Sequence, residues 1–254
     1  KTIIMLFVRK LGVGALLLTP LAPLAVYGGF LFPYTSGRNF FFRALVLAAF
    51  SCLVLMWFRE PARYSPRASF LAWAVGALAA ASAVATALAP NPSLALWSTL
   101  ERMDGLVSVL FLSAFFFAAR SLLTVRTWKI FFHVSLTAAL IVSAVALLQL
   151  SGVVPIHQGE LRIDGTLGNA SFFAAYLLLS AGLALFISAG ATAPRWRLVY
   201  GACAALFLFL AFASATRSAF IALPAALLIS SIAALLLQKH SQFLRRFGLA
   251  ALAL

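Results

Sequence analysis

Residues 128–150 read WKIFFHVSLTAALIVSAVALLQL. Beyond Lys129 the run has one ionisable side chain, His133, and neither proline nor glycine. An α-helix rises ~1.5 Å per residue, so a run of this length spans the hydrocarbon core of a bilayer, which takes about 20 residues. Apolar residues occupy every side of such a helix, which suits lipid and not the surface of a soluble domain.

Seven further stretches of this kind flank it, at 11–32, 40–58, 68–89, 105–123, 167–189, 197–213 and 218–237. Of the 254 residues, 64% are hydrophobic and 9% charged, against about 25% charged in soluble domains. So much apolar surface cannot be covered in water. The expected fold is an all-α, polytopic transmembrane helical bundle of about eight spans, forming a single transmembrane domain over residues 1–254. A last apolar run from Phe247 to Leu254 reads as a truncated ninth span, and the chain as the N-terminal part of a longer protein whose C-terminal loop and last helices are missing. Pro20 and Pro23 in the first span and Pro224 in the eighth remove backbone donors and should kink their helices.

The net charge of +14 comes from basic residues spread thinly between apolar blocks. Clustered on one face they would suggest nucleic acid; spread over connectors they set orientation, and no nucleic-acid partner is expected. Alternate connectors hold Lys1, Arg9 and Lys10; Arg59, Arg63 and Arg67; Arg120, Arg126 and Lys129; Arg195 and Arg197; and Lys239, Arg245 and Arg246. The other connectors hold Arg38, Arg43, Arg102, Arg162 and Arg217, with four of the five acids, Glu101, Asp104, Glu160 and Asp164. Basic loops stay in the cytoplasm, so the N-terminus is expected inside and the second set of loops outside. Trp57, Trp73, Trp128 and Trp196 fall at inner helix ends and Trp97 in an outer loop, as interface anchors do. Cys52 and Cys203 lie within apolar runs and read as small hydrophobes, not as a disulfide or ligand pair.

The outer loops carry the richer chemistry. Asn91 followed by Pro92, with Leu96, Leu100 and Met103 at helical spacing beside Trp97, predicts a short amphipathic helix at the interface. The outer ends of the even-numbered spans begin with Ser36-Gly37-Arg38-Asn39, Asp104-Gly105, Gly165-Thr166-Leu167-Gly168-Asn169 and Ser214-Ala215-Thr216-Arg217-Ser218. Helix N-termini present free N–H groups, glycine admits a ligand to the backbone, and arginine adds a fork suited to phosphate. These are the makings of an anion site, with Arg217 its foremost residue. Ordinary caps and lipid-headgroup contacts use the same residues, and more commonly. His157, Glu160 and Asp164 could do acid–base work; a solvated loop face accounts for all three as well. The spans hold almost no mid-membrane charge, which counts against an ion-coupled carrier. No His, Cys and carboxylate set has metal-ligand spacing.

Asp164-Gly165-Thr166-Leu167-Gly168-Asn169, followed by Phe172, Ala175 and Tyr176, resembles the Gly-Thr-x-Gly-Asn signature of the O-antigen ligase and Wzy-type polymerase superfamily. Thr216-Arg217-Ser218, Glu101-Arg102-Met103-Asp104-Gly105 and the stretch from Phe32 to Arg43 are similar to other stretches of that superfamily, in the same order along nearly the whole chain. Ser218 stands where the family has glycine. The resemblance implies a GT-C-like bundle in a bacterial inner membrane. It implies a glycosyltransferase that moves a glycan from undecaprenyl diphosphate to an acceptor hydroxyl on a glycan, lipid or protein, at the periplasmic face, with no metal or other cofactor. Arg217, with Arg162, Arg102 and Arg38, would hold the donor diphosphate, and Asn169 would add donors. The family's catalytic histidine follows a ninth helix, so the base is expected beyond residue 254, with His157 a weaker candidate. Two other readings use the same residues: a transporter or flippase of lipid-linked glycan, and a non-catalytic membrane subunit of envelope assembly.

Overall fold

The computed structural model describes residues 2–65, 68–157, 162–217, 219–222, 224–226, 229 and 232. Lys1, Arg67, Glu160, Ser218, Lys239, Arg245, Arg246, most of the eighth expected span and the whole of the ninth lie outside the described residues. Among the described residues every regular element is helical. Six helical stretches among them are long and apolar enough to cross a membrane: Ile3–Leu24, Pro33–Arg59, Phe70–Ala87, Val125–Leu150, Ala170–Gly190 and Pro194–Ala213. A seventh, Leu106–Leu122, is shorter at 17 residues. This is the make-up of a helical, multi-pass membrane protein.

The chain divides into two compact units, one up to Val134 and one from Ser135 onward. The first unit contains α1 (Thr2–Leu18), α2 (Pro33–Arg59), the single turn α3 (Pro61–Tyr64), α4 (Phe70–Ala87), α5 (Pro92–Trp97) and α6 (Leu106–Leu122). It also holds the start of α7 (Val125–Leu150). Proline occupies the first position of α2, α3 and α5, where its missing N–H costs nothing. The first helix, α1, begins at Thr2, nine residues earlier than the sequence suggests. Ile3–Val8 is apolar and nothing breaks the helix before Pro20, so Arg9 and Lys10 ride on α1 instead of preceding it. At Pro20 and Pro23 the helix tightens into a 3-10 segment, Thr19–Leu24, and the Thr19 hydroxyl donates to the Leu16 carbonyl at 2.7 Å.

Leu16, Ala49, Leu53, Met56, Ala119 and Leu122 form the core where α1, α2 and α6 meet. Gly12 allows the approach: a Cβ there would lie 3.0 Å from both the Cys52 Cβ and Leu122. α4 packs along α6 yet has no buried residue. In water that apolar exposure would be costly; in lipid it is free.

The second unit contains the rest of α7, then α8 (Ala170–Gly190) and α9 (Pro194–Ala213). α8 and α9 pack along their length, with Phe173, Leu177, Ala181 and Ala184 buried on α8 and Ala204, Phe207 and Ala211 on α9. The small residues let the two backbones come close. Arg197 locks the turn between them, donating Nε to the Ala191 carbonyl at 2.9 Å. The two cysteines are free thiols; Cys52 is buried and Cys203 half-buried.

Candidate functional site

In the second unit α7 ends at Leu150, a loop follows, and α8 begins at Ala170. Asn169 is the N-cap of α8, not part of the span: its Oδ1 accepts from Ser171 N at 2.8 Å and Phe172 N at 3.3 Å. Capping occupies the oxygen, while Nδ2 makes no hydrogen bond to the described residues.

Arg162 ties this loop to the turn after α9. Its Nε donates to the Ser214 carbonyl at 3.1 Å and its Nη2 to the Thr216 hydroxyl at 2.8 Å. Thr216, almost wholly buried, lies 3.2 Å from the Ala170 carbonyl and donates to it, while the Ser214 hydroxyl is 2.6 Å from the Ala211 carbonyl. The start of α8, the loop and the 214–217 turn are thus held by one polar network, with Ala215 at a φ of 50°. The next residue, Arg217, is exposed and makes no hydrogen bond or ion pair with the described residues. Arg162, Asn169 and Arg217 therefore gather at one end of the second unit.

Asp164 is not a solvated loop residue. It is completely buried, and its Oδ1 accepts from Gln149 Nε2 at 2.7 Å. Gln149, itself buried on the last turn of α7, accepts at Oε1 from Asp164 N at 3.2 Å and Gly165 N at 2.8 Å. His157 Nδ1 is 3.6 Å from Asp164 Oδ1. Asp164 Oδ2 is buried with no hydrogen-bond partner among the described residues. Sequence reasoning missed Gln149; the one signal for it was a lone amide in an otherwise apolar helix end.

Arg38 and Arg102 belong to the first unit. α2 starts at Pro33, four residues ahead of Gly37, so Arg38 lies inside the helix and its Nε donates to the Tyr34 carbonyl one turn back. Arg102 sits in the turn between α5 and α6, exposed and without a side-chain partner among the described residues. The amphipathic helix expected through Met103 stops at Trp97, because Ser98 takes a φ of 62°. Asn91 caps it as predicted, accepting from Leu94 N at 3.1 Å. Arg43 turns inward: its Nη2 donates to the Met103 carbonyl at 3.1 Å and the Ser108 hydroxyl at 2.8 Å.

The glycines at these helix starts serve the chain's own packing. A Cβ on Gly37 would lie 2.5 Å from the Ala25 carbonyl oxygen, and one on Gly105 2.5 Å from the Leu96 carbonyl oxygen. At Gly165, with a φ of +56°, a Cβ would meet the Phe173 ring at 2.9 Å. The close approach that glycine permits is taken by neighbouring protein atoms at all three. Among the described residues no three His, Cys, Asp or Glu side chains converge on a point. Compared with family models, curated proteins and solved structures, the chain matches none.

Proposed function

We propose that this chain is a membrane glycosyltransferase that moves a glycan from undecaprenyl diphosphate to an acceptor hydroxyl, in the manner of the O-antigen ligase superfamily it resembles. The observation that carries the reading is Arg217. An exposed guanidinium with no partner among the described residues stands on a turn that Arg162, Thr216 and the Ala170 carbonyl hold fixed. A charge kept at a membrane boundary and left unpaired is ready for an anion. Arg162 adds positive charge beside it, and Asn169 Nδ2 a further donor. The proposal rests on these second-unit residues; Arg38 and Arg102 enter it through the resemblance alone.

The chemistry follows from the donor. The acceptor oxygen attacks the anomeric carbon, the bond from that carbon to the diphosphate oxygen breaks, and undecaprenyl diphosphate leaves with the electron pair and the configuration inverted. Fixed cations that meet the growing charge on the leaving group lower the barrier. The proposed setting is the periplasmic face of a bacterial inner membrane, with the N-terminus in the cytoplasm, in a GT-C-like bundle.

The test uses the whole natural protein in inner-membrane vesicles given an undecaprenyl-diphosphate-linked disaccharide, with undecaprenyl diphosphate release measured. Arg217→Ala should lower transfer about a hundred- to a thousandfold, the cost of losing one donor to a developing anion. Arg217→Lys keeps the charge but loses the bidentate fork, and should also be severely impaired. Anchoring of lipid headgroups would let lysine substitute well, because both side chains snorkel. Near-normal release by Arg217→Lys would end the diphosphate reading, and glycan movement without release would favour a flippase.

A further inference from the structure

Ala215 holds a φ of 50°, in the left-handed region that is costly for a residue with a side chain, and it lies between the buried Ser214 and Thr216. A turn keeps such a conformation only where its surroundings enforce it. Here they do so on both sides. Before Ala215, the Ser214 carbonyl accepts from Arg162 Nε at 3.1 Å, and the Ser214 hydroxyl donates to the Ala211 carbonyl at 2.6 Å. After it, the Thr216 hydroxyl accepts from Arg162 Nη2 at 2.8 Å and donates to the Ala170 carbonyl at 3.2 Å. One guanidinium bridges the residues on either side of the strained one, and the Thr216 hydroxyl ties the turn to the start of α8.

Nε and Nη2 make up one edge of a guanidinium, a pair of donors that can fork onto a phosphate or carboxylate. In Arg162 that edge is filled by oxygens of the protein itself. Arg217 is the opposite case. It is exposed, has no hydrogen bond or ion pair with the described residues, and follows Thr216 directly. The direction in which its side chain leaves the turn is set by the backbone that Arg162 and Thr216 hold.

We infer that Arg162 and Thr216 are positioning residues that act through Arg217, an inference that rests on the donor site proposed there. The resemblance implies instead that Arg162 itself holds the diphosphate. A cation that meets charge growing on a leaving group has to stand in place before the bond breaks, and a displacement of about 1 Å costs about a hundredfold in rate. The brace across Ala215 keeps the turn from relaxing to an ordinary backbone conformation and carrying Arg217 away.

The test uses the same vesicles and disaccharide donor, with variants normalised to protein in the membrane. Thr216→Val keeps the shape and removes the hydroxyl. It should lower kcat about ten- to a hundredfold with a smaller change in KM, because misplacing Arg217 weakens a contact made chiefly in the transition state. Thr216→Ser keeps the hydroxyl and should retain most of kcat. Arg162→Ala should cost as much as Thr216→Val, and the double variant no more than the worse single one, because both remove the same brace. Ala215→Gly should return part of the kcat lost in Arg162→Ala, since glycine takes a positive φ unaided. A direct grip of Arg162 on the diphosphate predicts otherwise: its loss would multiply with that of Thr216→Val, and Ala215→Gly would return nothing. Either of those results, wild-type kcat in Thr216→Val, or Thr216→Ser as slow as Thr216→Val would overturn the assignment. Arg217→Ala in parallel separates the failures. If it loses release while the Arg162 and Thr216 variants do not, the donor site stands without the brace. If it keeps full release, the donor reading falls and the positioning role falls with it.

Discussion

The two units carry the same four-residue pattern in opposite states. Arg102-Met103-Asp104-Gly105 leads into α6 and Arg162-Ile163-Asp164-Gly165 leads toward α8. In both the apolar second residue is buried. In the first unit the arginine and aspartate are exposed, and Asp104 does no more than accept from the Ser98 hydroxyl. In the second unit Arg162 is tied across to the 214–216 turn and Asp164 is sealed against Gln149. The positive φ moves as well, from Met103 at 53° to Gly165 at 56°. The partners of the two stretches differ. α7 offers a buried amide that can bond an inward carboxylate, whereas in the first unit Arg43 reaches in from α2 and takes the Met103 carbonyl instead. The same pattern becomes a turn in one unit and a buried polar centre in the other.

The comparison breaks most readily at Gln149. Gln149→Leu removes the donor to Asp164 Oδ1 and the acceptor for two backbone N–H groups, leaving a buried carboxylate without its amide. Leaving a buried donor or acceptor unsatisfied costs about 1–3 kcal/mol. With three such groups affected, a loss of about 3 kcal/mol is expected by reversible unfolding in detergent micelles. A change under about 0.5 kcal/mol, the scale of an ordinary surface substitution, would show that Asp164 does not depend on the amide.

Arg43 is the first unit's counterpart. Arg43→Met keeps much of the stem but gives up the bonds to the Met103 carbonyl and the Ser108 hydroxyl. Hydrogen bonds from a charged group contribute about 1.5–3 kcal/mol. About 2 kcal/mol should be lost, and proteolytic cutting within residues 98–104 should rise, since that carbonyl belongs to a residue at positive φ. Unchanged cutting and stability would mean that the turn holds itself and that the contrast with the second unit lies in Asp164 alone.

Much of this fold could be read from the chain, for identifiable reasons. The run at 128–150 became Val125–Leu150 because its length and lack of breakers leave a helix no alternative. The Asn91-Pro92 start was readable because a cap and a first-turn proline act locally. The start of α1 was not, since Arg9 and Lys10 mark a connector only if the apolar residues before them do not continue the helix. At the site, the grouping of Arg162, Asn169 and Arg217 at one end follows from the order of the spans. The burial of Asp164 does not, because it depends on an amide fifteen residues away whose side chain gives no local sign of facing inward. The three helix-start glycines show a related limit: sequence reveals that something approaches the backbone, not that it is the protein's own carbonyl or ring.

The smallest effect expected is at Asp104. Asp104→Asn keeps an oxygen where the Ser98 hydroxyl donates and removes a charge that is exposed and makes no ion pair with the described residues. Exposed charges are solvated about equally in the folded and unfolded chains, so their removal shifts stability by no more than about 0.5 kcal/mol. The same unfolding measurement used for Gln149→Leu should therefore place Asp104→Asn on the wild-type curve. The pair of results is more informative than either alone. A large loss at Asp104 would mean that the first unit, too, depends on its carboxylate and that burial is not what separates the two copies of the pattern. A null result beside a loss of about 3 kcal/mol at Gln149 would trace the difference to the amide on α7, the residue that turns an ordinary helix-entry loop into a buried polar centre.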